Sequence, residues 1–271
     1  MPGVRAAAQR SGAVVEIGGL PIRLRCDNAA FVRQIEQRYA GYLSSSDEAR
    51  FDFEIELAPP GTESRDEAVR VTWNSGRWLM QRGDFRAEWN PATALGHVEQ
   101  TTNPYSLDSV LRIVHTLLLA QEGGFLLHAS SAIRNGRAFL FSGVSGAGKT
   151  TMARLAPPDA ALLTDEISYV TRRGDRYFAL GTPFYGELAR PGENLSAPIE
   201  ALYLLAKGPE NKIEPIEGVD AVRGLMENIL FFARDAEFVN LVFDTACEFA
   251  GKVPVRRLTF VPDSSVWELI V

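Results

Sequence analysis

A chain of 271 residues, 46% hydrophobic and 23% charged, has the balance of a soluble globular protein, and its formal net charge of −6 argues against a nucleic-acid partner. Its two cysteines, Cys26 and Cys247, stand far apart with no CxxC and no clustered histidines, which excludes a disulfide framework and a zinc site and points to a reducing, cytoplasmic compartment. No apolar run approaches the roughly 18 residues of a membrane span, and residues 1–12, MPGVRAAAQRSG, lack a signal-peptide core and are expected to be a flexible tail.

From Val14 to about Asn103 the pattern predicts short strands: VVEIG, LPIRLR, FDFEIEL, AVRVTW, RWLMQR and FRAEW, several with period-two alternation. One helix, about Asn28 to Tyr42, interrupts them, and APPGTESRDE reads as a surface loop. Residues 13–104 are therefore expected to form an N-terminal α+β domain, carrying no evident chemistry and suited to recognising a substrate or partner.

Asn103-Pro104 opens a second helix, with Leu107, Val110, Leu111, Val114, Leu117 and Leu118 on one face and Gly123-Gly124 as its stop. His115 on that helix and His97 in a polar stretch have no motif partner and read as structural. A hairpin follows, because FLLHASSAIR and RAFLFS flank Asn135-Gly136, the strongest two-residue turn signal. Its register pairs Arg134 with Arg137, Ala132 with Phe139, Ser130 with Phe141 and His128 with Gly143, which brings an imidazole to the mouth of the loop that comes next. From there His128 is expected within direct or one-water reach of Asp165 or of a bound phosphate.

That loop, Gly143 to Thr150, satisfies G-x-x-x-x-G-K-[ST] between an apolar strand and the helical segment TTMARL. Backbone N–H groups of Gly143, Ser145, Gly146, Ala147 and Gly148, with the helix start at Thr150 and Thr151, are expected to grip a nucleotide's phosphates. Lys149, the first of only four lysines, would reach the β and γ phosphates, and Thr150 would hold Mg²⁺. The run Ala160 to Thr164 then reads as a buried strand ending at Asp165-Glu166. In a hydrolase Asp165 would hold the metal and Glu166 orient a water; in a kinase one carboxylate takes the proton of a substrate hydroxyl and the other serves the metal. Only 15 residues separate Lys149 from Asp165, and no D-x-x-G follows, which favours a kinase over a switch-type GTPase. Asn211-Lys212-Ile213-Glu214 departs from a guanine-reading N-K-x-D and reads as a turn.

Beyond the acids, GTPFYGE makes a shaped loop in which Glu187, with Arg190 after it, could touch metal or phosphate. The strand ALYLLAKG, helices over about 219–233 and 235–250, and the strand VRRLTFV complete a mixed α/β second half over 105–271.

In order, LLHASSA, GVSGAGKTT, LLTDE, GTPFYGE and VPVRRLTFVPDSSVWEL resemble the catalytic domain of bacterial HPr kinase/phosphorylase and its wider group of HPr-kinase-like proteins, over about Gly124 to Val271. The resemblance implies an α/β P-loop kinase domain related to ATP-dependent phosphoenolpyruvate carboxykinase, with Mg-ATP as donor and a serine hydroxyl as acceptor. It casts His128 as the motif histidine, Lys149 and Thr150 as phosphate and metal groups, Asp165 as catalytic base and Glu166 as the second acid. Similar proteins include kinases of ribosomal natural-product precursor peptides and kinases of free serine. The expected function is an ATP-dependent kinase of a serine in a protein or peptide, with a small-molecule kinase and a non-catalytic ATP-binding sensor or assembly module as alternatives. A homo-oligomer stays open.

Overall fold

The computed structural model of the chain describes residues 11–59 and 68–270, so nearly all of the expected tail and most of the APPGTESRDE loop lie outside it. The chain divides into two units, one ending at Leu111 and the other beginning at Arg112, each with its own sheet. The border falls inside a helix rather than ahead of it.

The first unit holds β1 (Ser11–Ile17), β2 (Leu20–Cys26), α1 (Ala29–Arg38), β3 (Phe51–Leu57), β4 (Arg70–Asn74), β5 (Arg77–Arg82), β6 (Phe85–Asn90) and β7 (Leu95–Gln100). Their order across the sheet is β1-β2-β3-β7-β6-β5-β4. The β2/β3 and β3/β7 pairs are parallel and the others antiparallel, so α1 is the crossover that parallel β2 and β3 require. Asn28 starts α1 by accepting the N–H groups of Ala30 and Phe31, and the helix stops at Arg38 with a separate 3-10 turn over Ala40–Tyr42, short of the single helix expected to Tyr42. Strand β7, absent from the sequence reading, lies at the sheet's centre between β3 and β6. It lacks an apolar stripe because the Phe53 ring fills the space above Gly96, where a Cβ would come within 2.3 Å of it. The buried Gln100 amide donates to the carbonyls of Thr101 and Asn103 instead of packing as a hydrocarbon.

Helix α2 (Pro104–Glu122) crosses the border, buries all six residues of its expected face, and ends at Gly123 with φ 72. The second unit continues with β8 (Phe125–Arg134), β9 (Arg137–Ser142), α3 (Lys149–Arg154), β10 (Ala161–Thr164), β11 (Ile167–Arg173), β12 (Arg176–Leu180) and β13 (Ser196–Lys207). After these come β14 (Lys212–Ile216), α4 (Gly218–Met226), β15 (Ile229–Leu230), α5 (Ala236–Lys252), β16 (Val255–Phe260) and a 3-10 turn over Ser264–Leu269. Pairings β8-β11-β12-β13-β9-β8 close a ring, which the parallel pair β13/β16 and the edge strand β14 extend. The turn expected around Asn211 is instead the start of β14, whose place at the sheet edge tolerates Pro215. Asn211 itself accepts from the Val261 N–H and donates to Ser265. The helix expected to run to residue 233 ends at Met226, because the next residues leave to pair β15 with β8.

His115, on α2, is fully buried edge-on against Tyr169 at 5.6 Å, with no hydrogen-bond partner at either ring nitrogen among the described residues. Burial pushes its pKa down to about 3. The unfolded chain binds this proton near 6.5 and the folded chain near 3, so stability is lost as pH falls between those values, at about 1.36 kcal/mol per pH unit. Wild-type protein should lose about 2 kcal/mol through this group from pH 6.5 to pH 5. Urea unfolding at both pH values checks it: His115→Leu should show a correspondingly smaller drop, and an identical drop would clear the histidine of the effect.

Candidate functional site

Strand β8 is bonded on both flanks, and both flanks break at the same level. Along one side, β9 pairs with residues 129–134 in the register the Asn-Gly turn sets, Arg134 with Arg137 through Ala129 with Ser142, and β15 pairs with Leu126 and Leu127. On the other side, β10 pairs with residues 131–133 and β11 with residues 125–128. One break releases the glycine loop at Gly143, the other releases Asp165 and Glu166, and His128 lies between them. The ladder ends at Ser142, so His128 does not pair with Gly143, whose φ of 153 carries the chain away.

The glycine loop leads into α3, whose first residue, Lys149, is buried. Gly148 has φ 114, and a Cβ there would lie 2.6 Å from the Phe260 ring, so the tight turn before Lys149 demands glycine. The Lys149 ammonium donates to the carbonyls of Gly143 (2.8 Å) and Val144 (3.2 Å), and the Ser130 hydroxyl donates to the Lys149 carbonyl (2.8 Å). Burial holds this ammonium below the ordinary lysine range, with the Glu166 carboxylate pulling the other way.

Asp165 is 3% exposed, and its two oxygens accept the N–H groups of Gly186 and Leu188, each at 2.9 Å. The GTPFYGE loop is thereby tied to the first acid. Thr164 fixes the same corner: its hydroxyl accepts from the N–H groups of Glu166 and Ile167 and donates to the Phe184 carbonyl. Gly186 faces both carboxylates, since a Cβ there would lie 3.3 Å from an oxygen of each.

These parts enclose a cleft of about 290 Å³. Ser145, Gly146, Gly148, Lys149, Thr150 and Thr151 line it from the loop side, and His128, Asp165, Glu166, Gly186 and Glu187 from the other. His128 makes no direct hydrogen bond to Asp165, although both face this space. Burial, and then the charges of Lys149 and Arg112, hold its pKa below the ordinary histidine value, so the ring is neutral at pH 7.

Residues 96–270 match the family described as SynChlorMet cassette protein ScmC. The chain belongs to that family. The match runs from β7 through α2 to the end of the second unit, and so takes in every group of the cleft. No curated protein matches the chain. Among solved structures it is similar to the HPr(Ser) kinase/phosphatase from Coxiella burnetii, at 12% identity and a TM-score of 0.30, over 54% of this chain and 85% of that one.

Within this member of the ScmC family, the remaining expected residues fall at the margins. Gly143 and Ala147 shape the loop without lining the cleft, Glu187 is exposed and ion-paired with Arg154 at 3.2 Å, and Arg190 is exposed and outside the cleft wall. Arg112 was not anticipated: it stands 3.6 Å from Glu166 and 4.9 Å from the Phe184 ring centroid. Its surroundings on α2 are apolar, and only a contact spanning more than fifty residues of sequence reveals it.

A nucleotide's phosphates fit the observed donor set, because the loop leaves Gly146 with open space around it and turns a lysine ammonium onto carbonyls that a phosphate could replace. Among the described residues no group of three or more His, Cys, Asp or Glu could hold a metal ion alone. Mg²⁺ characteristically takes one or two carboxylates plus phosphate oxygens, and Asp165, Glu166 and the Thr150 hydroxyl on one cleft suit that mode. No helix among the described residues is long and apolar enough to cross a membrane.

Proposed function

We propose that the chain is an ATP-dependent kinase that phosphorylates a serine hydroxyl of a protein or peptide in the cytoplasm, on a P-loop fold of the HPr-kinase type. The observation that carries this reading is the single cleft that brings Lys149 and Thr150 against Asp165, Glu166 and His128. Lys149 would exchange its loop carbonyls for the β and γ phosphates, and Thr150 and Glu166 would hold Mg²⁺. Bound Mg²⁺ supplies charge neutralisation on the phosphates as transfer proceeds.

Asp165, buried and held at both oxygens, is oriented to take the serine proton. The bond from the γ-phosphorus to its bridging oxygen breaks, the bond to serine Oγ forms, the serine proton passes to Asp165, and ADP leaves with the electron pair. Neutral His128 would hydrogen-bond in the cleft without adding a positive charge that would lower the basicity of Asp165. The N-terminal unit is assigned to substrate recognition.

Incubation with γ-labelled ATP, Mg²⁺ and a panel of serine peptides and free hydroxy amino acids, followed by mass location of the phosphate, tests the reading. Label on a peptide serine is expected. Label confined to free serine would replace the acceptor by a small molecule, and nucleotide binding with no transfer would leave a non-catalytic module.

A further inference from the structure

Arg112 does not line the cleft, but it stands behind Glu166, which does, and no motif explains it. Its guanidinium stacks on Phe184, which is fully buried and whose carbonyl is bonded to the Thr164 hydroxyl, so the platform beneath it is rigid. Nη2 stands 3.6 Å from Glu166 Oε2, beyond the roughly 2.7–3.2 Å of an N–H···O bond, and Nε is buried with no partner. A guanidinium carries five N–H donors. Here, among the described residues, none of them makes a hydrogen bond, although the side chain is only 21% exposed. Held over the Phe184 ring, charged, unspent in hydrogen bonds and close enough to bias His128, the group suits an oxyanion that offers two acceptors in one plane.

We propose that Arg112 is a catalytic residue that donates to the oxygens of the transferring phosphoryl group while the serine attacks and ADP departs. This rests on the kinase reading above. The loose contact with Glu166 keeps the guanidinium in place beforehand without consuming its donors.

A purely supporting role would instead have Arg112 brace Phe184 and Glu166, and the two roles separate in binding experiments. The probes are ADP alone and ADP with aluminium fluoride, a mimic of the planar phosphoryl. Wild-type protein should bind the fluoride complex at least about 100-fold more tightly than ADP. Arg112→Met should bind ADP within about twofold of wild type, lose most of that gain, and transfer phosphate roughly 10²- to 10³-fold more slowly in single turnover. Arg112→Lys, which keeps the charge and loses the planar fork, should recover little of it.

A full gain in either variant overturns the proposal. So does a fall in ADP affinity and thermal midpoint that matches the fall in transfer, because bracing alone would produce it. Should the methionine variant not fold, the lysine variant decides. Wild-type protein that binds neither probe would sink the nucleotide reading itself, an outcome distinct from any failure of Arg112.

Discussion

Asp165→Asn is expected to slow phosphoryl transfer by roughly 10²- to 10⁴-fold, the usual contribution of a positioned base, while ADP affinity stays near that of wild type. The second half of that expectation follows from the geometry: Lys149 is held by the carbonyls of Gly143 and Val144 and by Ser130, and Asp165 takes part in none of these bonds. The substitution also has a structural signature. Both carboxylate oxygens accept backbone N–H groups, from Gly186 and Leu188, and an asparagine offers only one oxygen. One of those N–H groups would face an NH₂, leaving a buried donor unmet at about 1–3 kcal/mol. Amide exchange at Gly186 or Leu188 should therefore quicken in the variant while the β8 amides stay protected. Glu166→Gln should act differently, mainly raising the Mg²⁺ concentration needed. If the two variants exchange these behaviours, the roles of base and metal ligand exchange with them.

Lys149→Ala should weaken ADP and ATP binding by about 100-fold or more, since two charge-assisted bonds to phosphate at about 1.5–3 kcal/mol each are removed. Calorimetric titration measures this, and unaltered affinity would refute the assignment. Lys149 is only 8% exposed and ties down the carbonyls of Gly143 and Val144. The alanine variant should therefore also lose about 1 kcal/mol of stability, readable as a lower thermal midpoint.

What the sequence made legible was local. Asn135-Gly136 set the β8/β9 register because a two-residue turn leaves no freedom in pairing, and the glycine loop was found because its residues are adjacent in the chain. The acidic pair fell at the end of a short apolar run, as β10 shows. The misses are all non-local. Strand β7 hides because its inward positions are filled by a neighbour's ring at Gly96 and by an internally bonded amide at Gln100. Strand β14 was taken for a turn because its Pro215 and its charges are acceptable only at an edge, which sequence does not announce. The end of α4 depends on pairing between β15 and β8, a partner more than ninety residues away. Arg112 comes beside Glu166 and Phe184 only once α2 and the GTPFYGE loop are side by side within the second unit.

The double bonding of β8 makes length itself a conserved quantity of the site. One residue added within 129–134 would turn the following side chains of that ladder to the opposite face, and the flank shared with β10 and β11 prevents the strand from sliding to compensate. The exposed β11/β12 turn at Gly174-Asp175, where an added side chain meets nothing within 4 Å of Gly174, has no such count to keep. Length variation is therefore free to collect at that turn and is shut out of the paired residues 129–134 and 137–142 that measure the distance from the histidine to the glycine loop.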